Sequence, residues 1–197
     1  MANPVKPATA RGEQTRQNLL SAAEHEFGEK GFHSASISSI TQRAGVAQGT
    51  FYIYYSSKED ILMALVQHMS RKMRHAQTEA TGSIEDRLTA ETQGFEYFLR
   101  FARENKNLYR VLMECQFIDE KTYREYYEKL AATYAGRLKK AQEAGQIREA
   151  DPDAQAWLLM GISYFLGLRY SIWEDKDLPE SVRKTVAEFI ERGLSRD

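Results

Sequence analysis

Four side chains within one seven-residue stretch can each hydrogen-bond an anion or the edge of a base. They are the amide of Gln48, the hydroxyl of Thr50 and the phenols of Tyr52 and Tyr54. They stand in "GVAQGTFYIYY", residues 45–55, together with Gly49 and two further aromatics, Phe51 and Tyr55. On a helix that advances ~100° per residue, Phe51 and Tyr55 fall on one side, near the apolar Ile40 and Val46. Gln48, Thr50, Tyr52 and Tyr54 are left to cover the other. Hydroxyls and phenols bond phosphate oxygens, and a glutamine amide can grip adenine through two hydrogen bonds. Gly49 removes a side chain where another surface could press close. The plain alternative is that Tyr52 and Tyr54 are half-buried surface tyrosines.

The segments around the stretch read as helices that would position it. "GEQTRQNLLSAAEHEFGEKGF" places Leu19, Ala23 and Phe27 at steps of four and stops at Gly31. In "SISSITQRAG", Ser36 can cap, Ile37 and Ile40 share a face with Ala44, and Gly45 terminates. Two short helices, about 36–44 and 48–54, are then joined by Gly45, Val46 and Ala47 alone, which is the helix-turn-helix signature. The next helix starts at Ser56 or Ser57, paired with Glu59 or Asp60 in a capping box, and runs through "ILMALVQHMSRKMR". Residues 1–60 carry six bases and six acids, yet from Lys30 to Lys58 there are three bases and no carboxylate. A stretch free of acid suits approach to phosphate.

The segment from about residue 13 to 62 resembles the TetR family of bacterial transcriptional repressors. The likeness runs through "LLSAAEHEFGEKGFHSASISSITQRAGVAQGTFYIYYSSKEDIL". It includes the Phe–Gly–Gly–Phe of the first helix, the Ala-Gly-Val turn, the Gly-Thr-aromatic-Tyr helix and the Ser-Lys-Glu that follows. The resemblance implies that Thr50, Tyr52, Tyr54 and Lys58 hold phosphates, and that Gln48 and Gly49 lie next to base edges. Ser36, capping the first motif helix, would also meet phosphate. Two positions depart from the pattern. Ser38 stands where some relatives have a basic residue, and Ala47 where many have a capping serine. The resemblance divides the chain into a disordered basic arm (1–12), a DNA-binding head (13–60) and a ligand-binding and dimerisation domain (61–197). Lys6, Arg11 and Arg16 would add sequence-independent affinity. Residues 56–75 would form the lever between the parts.

The larger part also reads as helices, giving an all-α fold of about nine helices with no sheet. Ser83 with Asp86 begins one, Asp119 caps another, and Asp151-Pro152 and Pro179 start two more. "WLLMGISYFLGLRYSIW", Trp157–Trp173, is apolar all round, so one face is expected against its own domain and another against a partner. Gly161 and Gly167 would permit close approach. With the last helix, whose Val182, Val186, Phe189 and Ile190 form a stripe, it would build a four-helix homodimer interface. Such a dimer matches a palindromic operator.

A small-molecule effector, largely apolar or aromatic, is expected among Phe98, Tyr109, Met113, Phe117, Tyr123, Tyr127, Trp157 and Tyr164. An ordinary aromatic core is the alternative for each. Arg169 interrupts the most apolar helix. It would pair with a carboxylate across the dimer, meet an acidic ligand, or reach out to solvent.

Composition excludes other classes. With 42% hydrophobic and 28% charged residues and a net charge of −1, the chain reads as a globular protein that does not coat nucleic acid or membrane. The best apolar run, 156–168, is too short to cross a bilayer, and "MANPVKPATARGEQ" has no apolar core of a signal peptide. One cysteine, Cys115, fits a reducing cytoplasm. Cys115 has no histidine near in sequence, and His68 and His75 lack a third ligand at useful spacing. No catalytic residue, metal or cofactor is expected. The reading is a ligand-responsive DNA-binding repressor. The alternatives are a regulator that needs its ligand to bind DNA, or a helical adaptor that no longer reads DNA.

Overall fold

The computed structural model describes residues 9–196, and among them it contains nine α-helices and no strand. They are α1 (Ala10–Lys30), α2 (Ile37–Ala44), α3 (Gln48–Tyr54), α4 (Lys58–Thr81), α5 (Arg87–Glu104), α6 (Lys106–Ile118), α7 (Glu120–Glu143), α8 (Pro152–Leu166) and α9 (Glu180–Leu194). The all-α architecture matches the periodicity of the sequence. Lys6 and most of the expected arm lie outside the described residues. Ala10–Gly12 belong to α1 rather than to an arm, because Thr9 accepts the Gly12 N–H (3.1 Å) and caps the helix there.

The chain forms two compact units. The first runs to Ser70 and also takes in Asn107–Tyr126; the second comprises Arg71–Lys106 and the chain from Tyr127 onward. Most of α6 and the first turns of α7 therefore count with the head, in contrast to the expected division at residues 60 and 61. The first unit buries Leu19, Leu20, Phe27, Ile40, Phe51 and Tyr55 almost completely. The second closes over Phe95, Leu138, Ile147, Ala156, Val186 and Ile190.

Local chemistry sets most helix ends. At α4, Ser57 Oγ accepts the Asp60 N–H (3.1 Å), while Asp60 Oδ2 accepts the Ser56 N–H (2.8 Å). Asp86 alone caps α5, through the Thr89 N–H (2.8 Å), so Ser83 has no part in it. Asp151 caps α8 with Pro152 in the first turn, as its sequence implies. One departure is larger. The apolar run expected as a single helix to Trp173 changes at Gly167 into a π-helical turn, Gly167–Trp173. Widened turns of this kind arise where tertiary contacts outweigh the regular ladder. Here the buried Ser171 hydroxyl donates to the Leu99 carbonyl of α5 (2.8 Å).

Candidate nucleic-acid interface

Helix α2 opens with a reciprocal cap. Ser36 Oγ accepts the Ser39 N–H (3.0 Å) and Ser39 Oγ accepts the Ser36 N–H (3.1 Å). It closes at Gly45, whose φ of 69° lies in the left-handed region that a side chain resists. The Val46 N–H then returns to the Thr41 carbonyl (3.0 Å), which sets the tight turn into α3.

Helix α3 has no side-chain cap, since Ala47 offers no acceptor. Its two aromatic anchors hold it instead. Phe51 is 0% and Tyr55 1% exposed, with ring centroids 5.7 Å apart. Burial pushes the Tyr55 phenol up to about 12, as expected of a hydroxyl removed from water. The opposite side is open. Gln48, Gly49 and Tyr52 are exposed, Thr50 and Tyr54 half-buried, and Ser36 stands exposed at the start of α2. Ile53, 60% exposed, belongs to the same open side, although its apolar character had not marked it as a surface residue. Its signal was available in the helical period, since Ile53 lies one turn after Gly49 and off the Phe51–Tyr55 stripe.

The bases of the acid-free window are not free. Lys30 and Arg43 both reach Glu26, each at 2.7 Å, and Arg43 also reaches Glu29 at 3.0 Å. Glu26 is 2% exposed, and its carboxyl is held down to about 2, first by the Lys30 ammonium. The carboxylates come from α1, outside the 30–58 window, so counting charge along the chain missed them.

Lys58 is also committed within the protein. Its Nζ donates to the carbonyls of Phe32 (2.7 Å), Ala35 (2.9 Å) and His33 (3.3 Å), and it sits 4.4 Å from the centre of the Phe32 ring. Its three N–H donors meet these carbonyls, so Lys58 clamps the loop between α1 and α2. In α1, Arg16 is paired with Glu13 (2.5 Å), while Arg11 is exposed. Hydroxyls, phenols and an amide thus dominate the open face of α3.

A further support of the head comes from far along the chain. On α6, Glu114 Oε2 accepts the Phe32 N–H (2.5 Å), and Arg110 donates to the Gly28 carbonyl (3.1 Å). A Cβ at Gly28 would lie 2.4 Å from Asn107, so α6 needs glycine there to come this near. Partners 82 residues apart leave no local pattern, and this docking was not legible in the sequence.

The residues expected at an effector site are dispersed over both units. Tyr109, Met113, Phe117 and Tyr123 belong to the first, and Phe98, Tyr127, Trp157, Tyr164 and Arg169 to the second. Tyr109 is buried and Tyr123 half-buried, but Met113 is exposed and Phe117 is 87% exposed. In the second unit, Phe98, Tyr127 and Tyr164 are half-buried, and the last two meet edge to face with centroids 6.2 Å apart. Trp157 is exposed, as is Phe165.

Of the three fates open to Arg169, the structure shows the solvent-exposed one. It is exposed, bonds Glu174 of its own chain (2.9 Å) and lies over the Tyr170 ring (4.9 Å). The second unit's buried carboxylate is Glu91 instead. Tyr134 and Arg87 donate to it, and burial raises it above the ordinary carboxylate range.

Residues 19–65 match the family described as "Bacterial regulatory proteins, tetR family". Over 192 residues the chain is 28% identical to the HTH-type transcriptional regulator YdgC of Bacillus subtilis, itself uncharacterized, covering 94% of this chain and 95% of that one. Residues 19–65 are therefore a TetR-type DNA-binding segment. The protein is a DNA-binding transcriptional regulator, and the matched segment includes α2 and α3. Its fold is similar to that of the fatty acid degradation regulator FadR from Bacillus halodurans, with a TM-score of 0.79 and 20% identity over 94% of this chain and 96% of that one. It is also similar to FadR from Bacillus subtilis in complex with stearoyl-CoA, with a TM-score of 0.77 and 22% identity over 88% and 96%.

Proposed function

We propose that this regulator is a cytoplasmic, homodimeric TetR-family repressor that leaves a palindromic operator when a largely apolar effector binds among its C-terminal helices. The open face of α3 carries the DNA half of the reading. Thr50, Tyr52 and Tyr54, with Ser36 on α2, position the head on phosphates, and Gln48 and Gly49 face the bases. With Lys30, Arg43 and Lys58 engaged internally, neutral donors supply much of the grip.

Exposed apolar side chains support the dimer. Leu158 and Phe165 on α8 and Phe189 on α9 are 69%, 68% and 67% exposed. Large apolar side chains left exposed on these two helices favour an interface there. The last two helices of each protomer would form a four-helix seam, and two-fold symmetry would set two heads about one helical turn (~34–36 Å) apart on DNA.

For the effector we propose a long-chain acyl thioester. The Bacillus subtilis FadR structure holds stearoyl-CoA. Phe98, Tyr127 and Tyr164 give the second unit half-buried aromatic surface where an acyl chain could be taken up. Arg169 pairs with Glu174 of its own chain and is left out of the proposed acyl site. Helix α4 is one continuous helix with residues in both units and is the proposed lever. A coupling of ~1–3 kcal/mol would weaken operator binding about 5- to 150-fold.

The test begins with duplexes selected by the full-length protein from a random library. Their binding is then followed by fluorescence anisotropy with stearoyl-CoA, and with coenzyme A as control. Release by the acyl thioester alone is expected. Failure to select any common sequence would sink the operator reading. Tight, specific binding that no acyl-CoA alters would sink the effector class and leave the operator reading intact.

A further inference from the structure

We infer that Ile53 reads the 5-methyl group of a thymine, making it a specificity residue at the centre of the recognition helix. A lone exposed isoleucine on an ordinary surface calls for no explanation. Ile53 differs by its place, because it stands 60% exposed on the face that this fold presents to DNA. A β-branched residue is also a poor helix former, and Ile53 gains little burial in return.

The geometry of α3 puts Ile53 between the groups that would touch the backbone. Successive residues turn by ~100°, so Tyr52 lies about 100° to one side of Ile53, and Thr50 and Tyr54 about 60° and 100° to the other. A helix seated in the major groove contacts phosphates with its flanks and base edges with its centre. Ile53 and Gly49, one turn apart, form that centre.

Helical side chains lean toward the N-terminus, so the branched side chain of Ile53 leans over Gly49. A Cβ added at Gly49 would meet nothing within 4 Å, so the space beside Ile53 is open. At this place the surface is bare backbone with an aliphatic side chain one turn away. Among groups on major-groove edges, the thymine methyl is the apolar one, and aliphatic contact is how proteins recognise it. Ile53 has no donor or acceptor, so this methyl is the base feature it can select.

This role for Ile53 rests on α3 entering the major groove, and the experiment separates the two. The probe is the selected duplex, with each thymine of one half-site replaced in turn by deoxyuridine, which lacks only the methyl. Wild-type protein should lose about four-fold in affinity at one position, the worth of one buried methyl group. Ile53→Ala should bind the parent duplex more weakly, show an unchanged unfolding midpoint, and lose no further affinity on that replacement. Ile53→Val should keep the sensitivity. Wild-type protein indifferent to every replacement overturns the inference, as does a penalty that persists undiminished in Ile53→Ala. If wild-type protein selects no common sequence at all, the fault lies with the groove reading instead.

Discussion

Replacing Lys58 by alanine separates two roles that predict opposite outcomes. As a phosphate ligand, Lys58 would matter only when DNA is bound. As the clamp seen in the structure, it matters to the folded head itself. Its ammonium spans the carbonyls of Phe32 (2.7 Å), Ala35 (2.9 Å) and His33 (3.3 Å), with the Phe32 ring 4.4 Å away. Phe32 and Ala35 are buried, at 4% and 2% exposure, so their carbonyls would lose a partner that water replaces poorly. Hydrogen bonds to a charged donor contribute ~1.5–3 kcal/mol, and a shared donor does not deliver the sum. The ring interaction adds ~0.5–1 kcal/mol. A loss of about 2–3 kcal/mol follows, or a fall of roughly 4–12 °C in the unfolding midpoint of a chain this size. The assays are thermal unfolding and operator affinity over a salt series. Removing one phosphate-bound ammonium from each of two heads would flatten the slope of log K against log salt by ~1.8. The clamp predicts an unchanged slope. An unaltered midpoint with a flattened slope would refute the reasoning.

Gly49→Ala should act oppositely on folding and on binding. The added methyl meets nothing in the protein and should stabilise the helix by ~0.4–1 kcal/mol, yet it occupies the open space one turn before Ile53 and should weaken operator binding, so undiminished affinity would argue against close approach there. Glu26, held at about 2 against an ordinary 4.5, contributes stability that is fully present above pH 4.5 and is lost as pH falls toward 2. Glu26→Gln should therefore lower the midpoint at neutral pH and flatten its decline in that acid window; an equally steep decline would assign the acid sensitivity elsewhere. Phe165→Glu, on the exposed face of α8, should give monomers by analytical ultracentrifugation and abolish tight binding to a two-site operator, whereas a persistent dimer would move the interface away from α8.

How much was legible depended on how far apart the partners lie in the chain. The helical period separates Phe51 and Tyr55 from Tyr52 and Tyr54, because burial on a short helix follows from angle alone. The caps at Ser36, Asp119 and Asp151 were equally readable, since donor and acceptor are within three residues. The same period would have exposed Ile53 had apolar character not been equated with burial.

What the chain's order could not convey was the fate of its charges. Lys58 is satisfied by carbonyls 23 to 26 residues earlier, and Arg43 by a carboxylate 17 residues back on α1. The acid-free window therefore overstated how much positive charge the head offers to phosphate. Arg169, too, takes its partner from the turn at the end of its own run, pairing with Glu174 at the surface. The docking of α6 on the end of α1 was beyond any local rule. The sequence alone determined the helices, their caps and the polar face of the recognition helix, because those follow from backbone geometry over a few residues. Only the tertiary structure decided which charges remain available for DNA, because a long, flexible side chain finds its partner wherever folding brings one near.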